Sequence, residues 1–271
     1  MRTSAENAAP WQATAAYLYL LRLDVASLAW EYLRRYPAYL AAWLRDGRHG
    51  GASAARAWGL IQLEDPGLDA REAHPIWDDS LPTLLHVEAA EAAAEAAAGG
   101  ATGAGLLLWR LPGQKDLVAL PNGAALQVRD GARLLRMRLG RGVLDGHAVR
   151  CAVPLDARLH AQAALLGAHA ARLAPRRRAQ TRPAGERAAA QRVPLAARHH
   201  LHALQALDGQ FAGASHRQIA EVLYGRERVR AAWHTDSALR AQLRHSLARG
   251  YALMRGGYRA LAGLRLPQPG A

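Results

Sequence analysis

Apolar positions recur with two different periods along this chain of 271 residues, and the changes of period divide it. Residues 11–46 are helical in pattern and dense in aromatics: Trp11, Tyr17, Tyr19, Trp30, Tyr32, Tyr36, Tyr39 and Trp43. Leu28, Tyr32 and Tyr36 return every four residues beside Ala29 and Leu33, which predicts one broad buried face. Asp24 is placed to cap this helix. Pro37 is placed to open the next, because proline fits a first turn and breaks an interior. The aromatics read either as the core of a small helical module or as a surface that docks a protein partner, since Trp and Tyr dominate binding hot spots.

Residues 47–59 read as a loop, and residues 60–81 as irregular chain punctuated by Pro66, Pro75 and Pro82. The run EAAEAAAEAAAGG from Glu88 has high helix propensity and stops at Gly99 and Gly100, as an exposed spacer helix would. The period then changes. From Gly105 to Val153 the segments LLLWRL, DLVAL, ALQV, LLRMRL and VRCAV are separated by turn sequences. Asn122–Gly123 and Asp130–Gly131 are hairpin signals, so a four- or five-stranded antiparallel meander is predicted. Arg129, Arg133, Arg136, Arg138 and Arg141 cluster around one hairpin, as a solvated outer face or a phosphate contact. Leu155 to Leu173 returns to helix. APRRRAQTRPAGERAAAQRVP, residues 174–194, has three prolines and consecutive arginines and predicts a basic linker.

Leu195 to Phe211 is again helical, with Leu201, Leu204 and Leu207 on one side, and it precedes the stretch from Gly213 to Tyr258. There Ser215 and Gln218 have the spacing of a capping box, Ile219, Val222 and Leu223 follow at helical intervals, and Gly225 closes the unit. Thr235 or Asp236 is placed to cap a second helix, in which Leu239, Leu243 and Leu247 share one face. At about 100° per residue the opposite face carries Ser237, Ala241, Arg244, His245 and Ala248, flanked by Arg240 and Arg249. Two such helices form a helix-turn-helix, the second being the recognition helix. Ser237, Arg240, Arg244 and His245 are the expected base-facing set, because arginine pairs bidentately with guanine O6 and N7. Arg217, Arg226, Arg228, Arg230 and Arg249 are expected on phosphates, setting affinity and salt dependence rather than sequence preference. Trp233 and Tyr258 are expected to pack, and Gly256–Gly257 to make a tight turn or a helix stop.

Charge reinforces that reading. Residues 1–100 carry 8 Lys and Arg against 13 Asp and Glu, whereas residues 172–271 carry 18 against 5. The surplus lies where a polyanion would bind. Lys115 is the only lysine among 35 basic residues, as a GC-rich genome would give; that bias does not explain the scarcity of acids after Arg172.

No catalytic constellation competes. Cys151 is the only cysteine, so neither a disulfide framework nor a thiolate metal site is expected. His199, His200 and His202 have no carboxylate or cysteine at ligand spacing and read as a solvated helix face, and Asp78–Asp79 is not a two-metal signature. Nucleophile elbow, zincin motif and dinucleotide fingerprint are absent, and neither enzyme activity nor a cofactor is expected. MRTSAENAAPW lacks an apolar h-region, and the uncharged run from Ala96 to Trp109 is too short to span a bilayer. A cytoplasmic, nucleoid-associated protein without membrane contact is the expectation.

Two stretches resemble known families. Asp24, Ala29-Trp30-Glu31-Tyr32-Leu33-Arg34-Arg35, Pro37, Tyr39, Trp43 and Trp58-Gly59-Leu60 resemble the transcriptional regulator-like domain of alphaproteobacteria, with Tyr36 in place of the usual asparagine. Gly213, Ser215, Ile219-Ala220, Leu223, Gly225, Trp233, Ser237, Leu239-Arg240 and Leu253-Met254-x-Gly256-Gly257-Tyr258-Arg259 resemble the RovC-like DNA-binding domain. The resemblance implies a bacterial transcription factor, typically an activator. Relatives with both domains regulate integrative and conjugative elements, others activate secretion-system genes, and a subset are antiactivators that bind another regulator instead of a promoter.

The sequence therefore predicts an α+β protein. A regulator-like helical region spans 1–100, a β-meander plus helix 101–173, a basic linker 174–194 and a helix-turn-helix domain 195–271. Double-stranded DNA is the expected partner of a homo-oligomer, with RNA polymerase or another regulator docking on the N-terminal aromatics. Two alternatives are an antiactivator-like protein that binds another transcription factor, and RNA binding through the linker. For the latter, the strands offer only Trp109 as a stacking aromatic.

Overall fold

The computed structural model describes residues 9–47, 52–90, 105–131, 133–145, 147–173, 194–234 and 237–265. Most of the expected spacer helix and the glycine joint (91–104), nearly all of the basic linker (174–193), and the expected cap at Thr235–Asp236 lie outside them. The fold is α+β.

After short 3-10 turns at Pro10–Gln12 and Thr14–Arg22, helix α1 spans Val25–Leu33 and α2 spans Pro37–Asp46. The expected starts are both present. Asp24 caps α1, its carboxylate accepting from Ser27 N at 2.8 Å, and Pro37 occupies the first turn of α2. The expected loop after α2 contains a short helix, α3 (Ala52–Arg56), a difference that alanine propensity explains.

Every residue of α1 after Val25 is buried, because chain packs on all its sides. Trp30 meets Tyr39 edge-on at 5.7 Å, and Tyr39 meets Trp58 at 5.4 Å. Their polar atoms are satisfied: Trp30 Nε1 donates to Leu68 O at 3.1 Å, and the Tyr39 hydroxyl donates to Glu64 O at 2.7 Å. The core around α1 continues into the C-terminal part through Leu201, Leu204, Leu207, Met254, Tyr258, Ala262 and Leu264. The aromatics thus read as core.

Five strands form one sheet: β1 Leu84–Ala89, β2 Gln114–Leu120, β3 Gly123–Asp130, β4 Arg133–Leu139 and β5 Val149–Ala152, in the order β2-β3-β4-β1-β5. The two expected hairpins join β2 to β3 and β3 to β4. Gly123 is obligatory in the first, since a Cβ there would lie 1.9 Å from Leu139 O. The rest departs from a simple meander. LLLWRL contains a 3-10 turn, Leu108–Arg110, instead of a strand. The remaining strand is β1, parallel to β4 and antiparallel to β5. Glu88 and Ala89 therefore close a strand instead of opening a helix, because pairing on both edges and burial of Leu84, Leu85 and Val87 outweigh alanine's helix propensity. Helix α4, Leu159–Leu173, covers the sheet, with Leu165, Leu166 and Leu173 against its core.

The arginine cluster of the sheet turns inward in large part. Arg136 is 4% exposed and donates to Asp24 Oδ2 at 2.7 Å and Ser27 Oγ at 3.0 Å, while Arg138 reaches Asp79 at 2.8 Å. Arg141 is tied to Asn122 at 2.9 Å.

Helix α5, Leu195–Phe211, is fastened to α1 by buried charge. Arg35 donates Nε to Asp208 Oδ1 at 2.7 Å, Nη2 to Asp208 Oδ2 at 2.9 Å and Nη1 to Glu31 Oε2 at 2.6 Å. Glu31 also accepts from Arg34 and from Ala70 N, and Asp208 from the Tyr17 hydroxyl. Burial opposes ionisation of Glu31 and Asp208, but the arginines more than offset it, and both carboxyls titrate below the ordinary carboxylate range.

Arg35→Ala should lower stability by about 3–5 kcal/mol in urea unfolding, because the largely buried Asp208 loses the cation paired with it and buried Glu31 keeps only Arg34. Since the folded values are depressed, the stabilisation is present above the unfolded carboxylate pKa of about 4 and is lost as pH falls below it. Acid unfolding of Arg35→Ala should accordingly be shallower than that of the unsubstituted chain.

Candidate nucleic-acid interface

The capping box forms as its spacing predicts: Gln218 N donates to Ser215 Oγ at 3.3 Å and Ser215 N to Gln218 Oε1 at 2.8 Å. It opens α6, His216–Tyr224, which ends at Gly225 with φ of 92°. The expected basic connection is itself a helix, α7 (Arg226–Ala232), held to the core by Val229. Helix α8, Ala238–Ala252, starts one residue after the expected cap, at Ser237. Ile219, Ala220, Val229, Leu239, Leu243 and Leu247 pack with Ala206 of α5 and with Trp11. Four helices, α5, α6, α7 and α8, therefore share one small core. At Gly250 a Cβ would lie 2.9 Å from Leu207 Cγ, so α8 crosses α5 at a distance that a side chain there would obstruct.

Arg244 and His245 are exposed on α8, together with Ala238, Ala241, Gln242, Ala248 and Ala252. Arg240 is half-buried, its guanidinium 5.7 Å above the Trp233 ring. Ser237 is elsewhere: it is 4% exposed, and its hydroxyl accepts from Arg240 N at 3.3 Å, because a cap must face its own helix. On α7, Arg226, Arg228 and Arg230 are exposed. Arg217 is ion-paired with Glu221 at 3.2 Å across one turn of α6. Arg249 points away from the other arginines: it acts on Tyr32 and His200, and its Nε is buried without a partner.

The structure thus brings Arg240, Arg244 and His245 onto α8 beside the arginines of α7, and separates Ser237 and Arg249 from them. Gln242 was missed by the sequence reading. It lies 100° round the helix from Ala241, and no rule of spacing marks a glutamine as anything but a good helix former.

The histidines divide. His200 is 4% exposed, with Nδ1 2.9 Å from the Tyr32 hydroxyl, whereas His199 is exposed. Burial, then Arg249 and His199, push His200 down to about 4. Among the described residues no group of His, Cys, Asp and Glu could hold a metal ion, and no helix is long and apolar enough to cross a membrane. Tyr258 packs as expected, its hydroxyl donating to Trp58 O at 3.0 Å. Gly256, at φ of 126°, bends α8 through the π-turn Leu253–Gly257 into α9, Tyr258–Ala262.

Two family models match the chain. Residues 152–263 match RovC_DNA-bd, described as a type VI secretion (T6SS) transcription factor DNA-binding domain. Residues 10–61 match the proteobacterial transcriptional regulator-like domain. The chain therefore carries the two domains that its residues resemble, and they mark a transcriptional regulator with a DNA-binding domain. No curated protein matches it significantly.

His200 should remain neutral at pH 7, and its imidazole NMR signals should not titrate between about pH 5.5 and 8. Because its folded value is depressed, its contribution to stability is present above the unfolded pKa of about 6.5 and is lost as pH falls towards 4.

Proposed function

We propose that the protein is a transcriptional activator that reads promoter DNA with α8, the recognition helix of a helix-turn-helix formed with α6. The observation that carries this reading is the exposed face of α8. It presents Arg244 and His245 among alanines, beside the three exposed arginines of α7, and has no carboxylate of its own. A helix entering the major groove needs just such a face, with small side chains for close approach and a few long polar ones for base edges. Arg240 and Arg244 are assigned to guanine, and Gln242 joins His245 as a base reader, since glutamine pairs bidentately with adenine N6 and N7. Arg226, Arg228 and Arg230 are assigned to phosphates, and Arg217 joins them when it leaves Glu221. Ser237 serves as the cap and Arg249 as an internal cation.

The T6SS transcription-factor description of the matched C-terminal family supports a role at secretion-system promoters, and the same reading takes the protein as a homo-oligomer. A contact with RNA polymerase or with another regulator would use residues other than the buried aromatics. The exposed Leu40 and Leu44 of α2 are what that region offers to such a partner.

Arg244→Ala should weaken binding to a footprinted promoter site by about 1–3 kcal/mol, roughly ten- to a hundredfold, and relax preference at one base pair. Gln242→Ala should relax preference at a different position. Promoter binding that survives both Arg240→Ala and Arg244→Ala, with loss of binding to a partner regulator instead, would replace this reading with the antiactivator-like one.

A further inference from the structure

The first two turns of α5 carry cations that the functional reading leaves unused. Arg198 and His199 are exposed, and His202 is half-buried with its ring edge-on to Tyr224 at 5.9 Å between centroids. Tyr224 ends α6 and is the joint of this region. It packs against the core shared by Val229 of α7 and by Leu239, Leu243 and Leu247 of α8, and its hydroxyl is buried without a hydrogen-bond partner. Helices α5, α6, α7 and α8 therefore meet around one tyrosine ring. Leu243 of that core is the chain neighbour of Gln242, so the joint borders the exposed face of α8 along its Gln242 edge.

Carboxylates are scarce around this joint. Between 194 and 265 the described acids are Asp208, Glu221 and Glu227. Asp208 is held by Arg35 and Tyr17, and Glu221 by Arg217, which leaves Glu227, the chain neighbour of Arg228. Burial first, and then Arg198 and His199, hold His202 below its ordinary value. An exposed surface on which Arg198 and the arginines of α7 face a single exposed carboxylate, Glu227, is matched by an external polyanion. A helix lying in the major groove has a phosphate wall along each edge, and this cluster flanks one edge of α8.

We propose that Arg198 and His199 at the start of α5, with Arg228 of α7, form a second phosphate-contacting surface that grips the DNA backbone beside the base-reading face of α8. This rests on the reading of α8 as the recognition helix. It adds α5 to the elements that touch DNA.

The test is equilibrium binding of the full chain to its promoter duplex and to an unrelated duplex, from about 50 to 300 mM salt. Arg198→Gln and His199→Gln are exposed substitutions, and an unchanged melting temperature confirms that the fold is kept. Arg110→Gln, at an exposed arginine outside the helical region and outside the arginine cluster of the sheet, is the control. Arg198→Gln should weaken binding to both duplexes equally, about three- to tenfold near 150 mM salt, and lower the logarithmic salt slope by about 1. The control should leave both quantities unchanged. An unchanged slope in Arg198→Gln, while Arg244→Ala still loses discrimination, overturns the second surface and leaves the reading of α8 standing. A loss confined to the promoter duplex also overturns it, since Arg198 would then be reading bases. If the unsubstituted chain binds neither duplex, both readings fall.

Discussion

One guanidinium, that of Arg35, ties the N-terminal helices to α5, the helix that α8 crosses. It lies just beyond α1, between Glu31 of that helix and Asp208 of α5, making two bonds to each. Arginine suits this position because its planar fork fixes direction as well as distance. Much of the surrounding apolar surface is alanine and leucine, which resist sliding poorly. The charged bridge pins one register between α1 and α5, at the desolvation cost that buried ions carry. Helix α8 then crosses α5 at Gly250, on the helix that the bridge holds.

The sheet is joined to the same helices by the same chemistry. Arg136 reaches Asp24, the cap of α1, so a single carboxylate both starts a helix and docks a strand. Arginine therefore works in two ways in this chain. Arg136 and Arg138 cross-link layers through Asp24 and Asp79 of the N-terminal third, and Arg35 does so through Asp208. The exposed arginines of α5, α7 and α8 lack such matches, and the electrostatic surplus becomes available to a polyanion there. A count of charges along the chain sees the surplus but not this division of labour.

The two matched segments, 10–61 and 152–263, meet in space. Tyr258 donates to Trp58 O and Arg259 to Ala57 O, so the Gly-Gly-Tyr-Arg stretch of one segment seats on the Trp-Gly-Leu stretch of the other. Leu204 and Leu207 of α5 join the same core as Trp30 and Tyr39. The regulator-like segment is thereby a support for the DNA-binding segment, whatever else its outer face touches.

What the residues determined by themselves were the features decided within a few positions of chain. Asp24, Ser215 with Gln218, Pro37, Asn122–Gly123 and Asp130–Gly131 each act on a backbone group no more than four residues away, and each does what its spacing predicts. The leucine stripe of α8 and the exposure of Arg244 and His245 follow from helical period alone. Contacts between distant residues decided the rest. Leu84–Ala89 becomes a strand because β4, some fifty residues later, offers it an edge, against the helix propensity of its own alanines. Arg136, Arg249 and His200 lie on faces that look solvated in sequence. Asp24 and Tyr32, brought against them by the fold, make Arg136 and His200 internal and draw Arg249 inward. Local hydrogen bonds are written in adjacent residues, whereas the burial of a charge depends on which distant carboxylate or ring arrives to cover it.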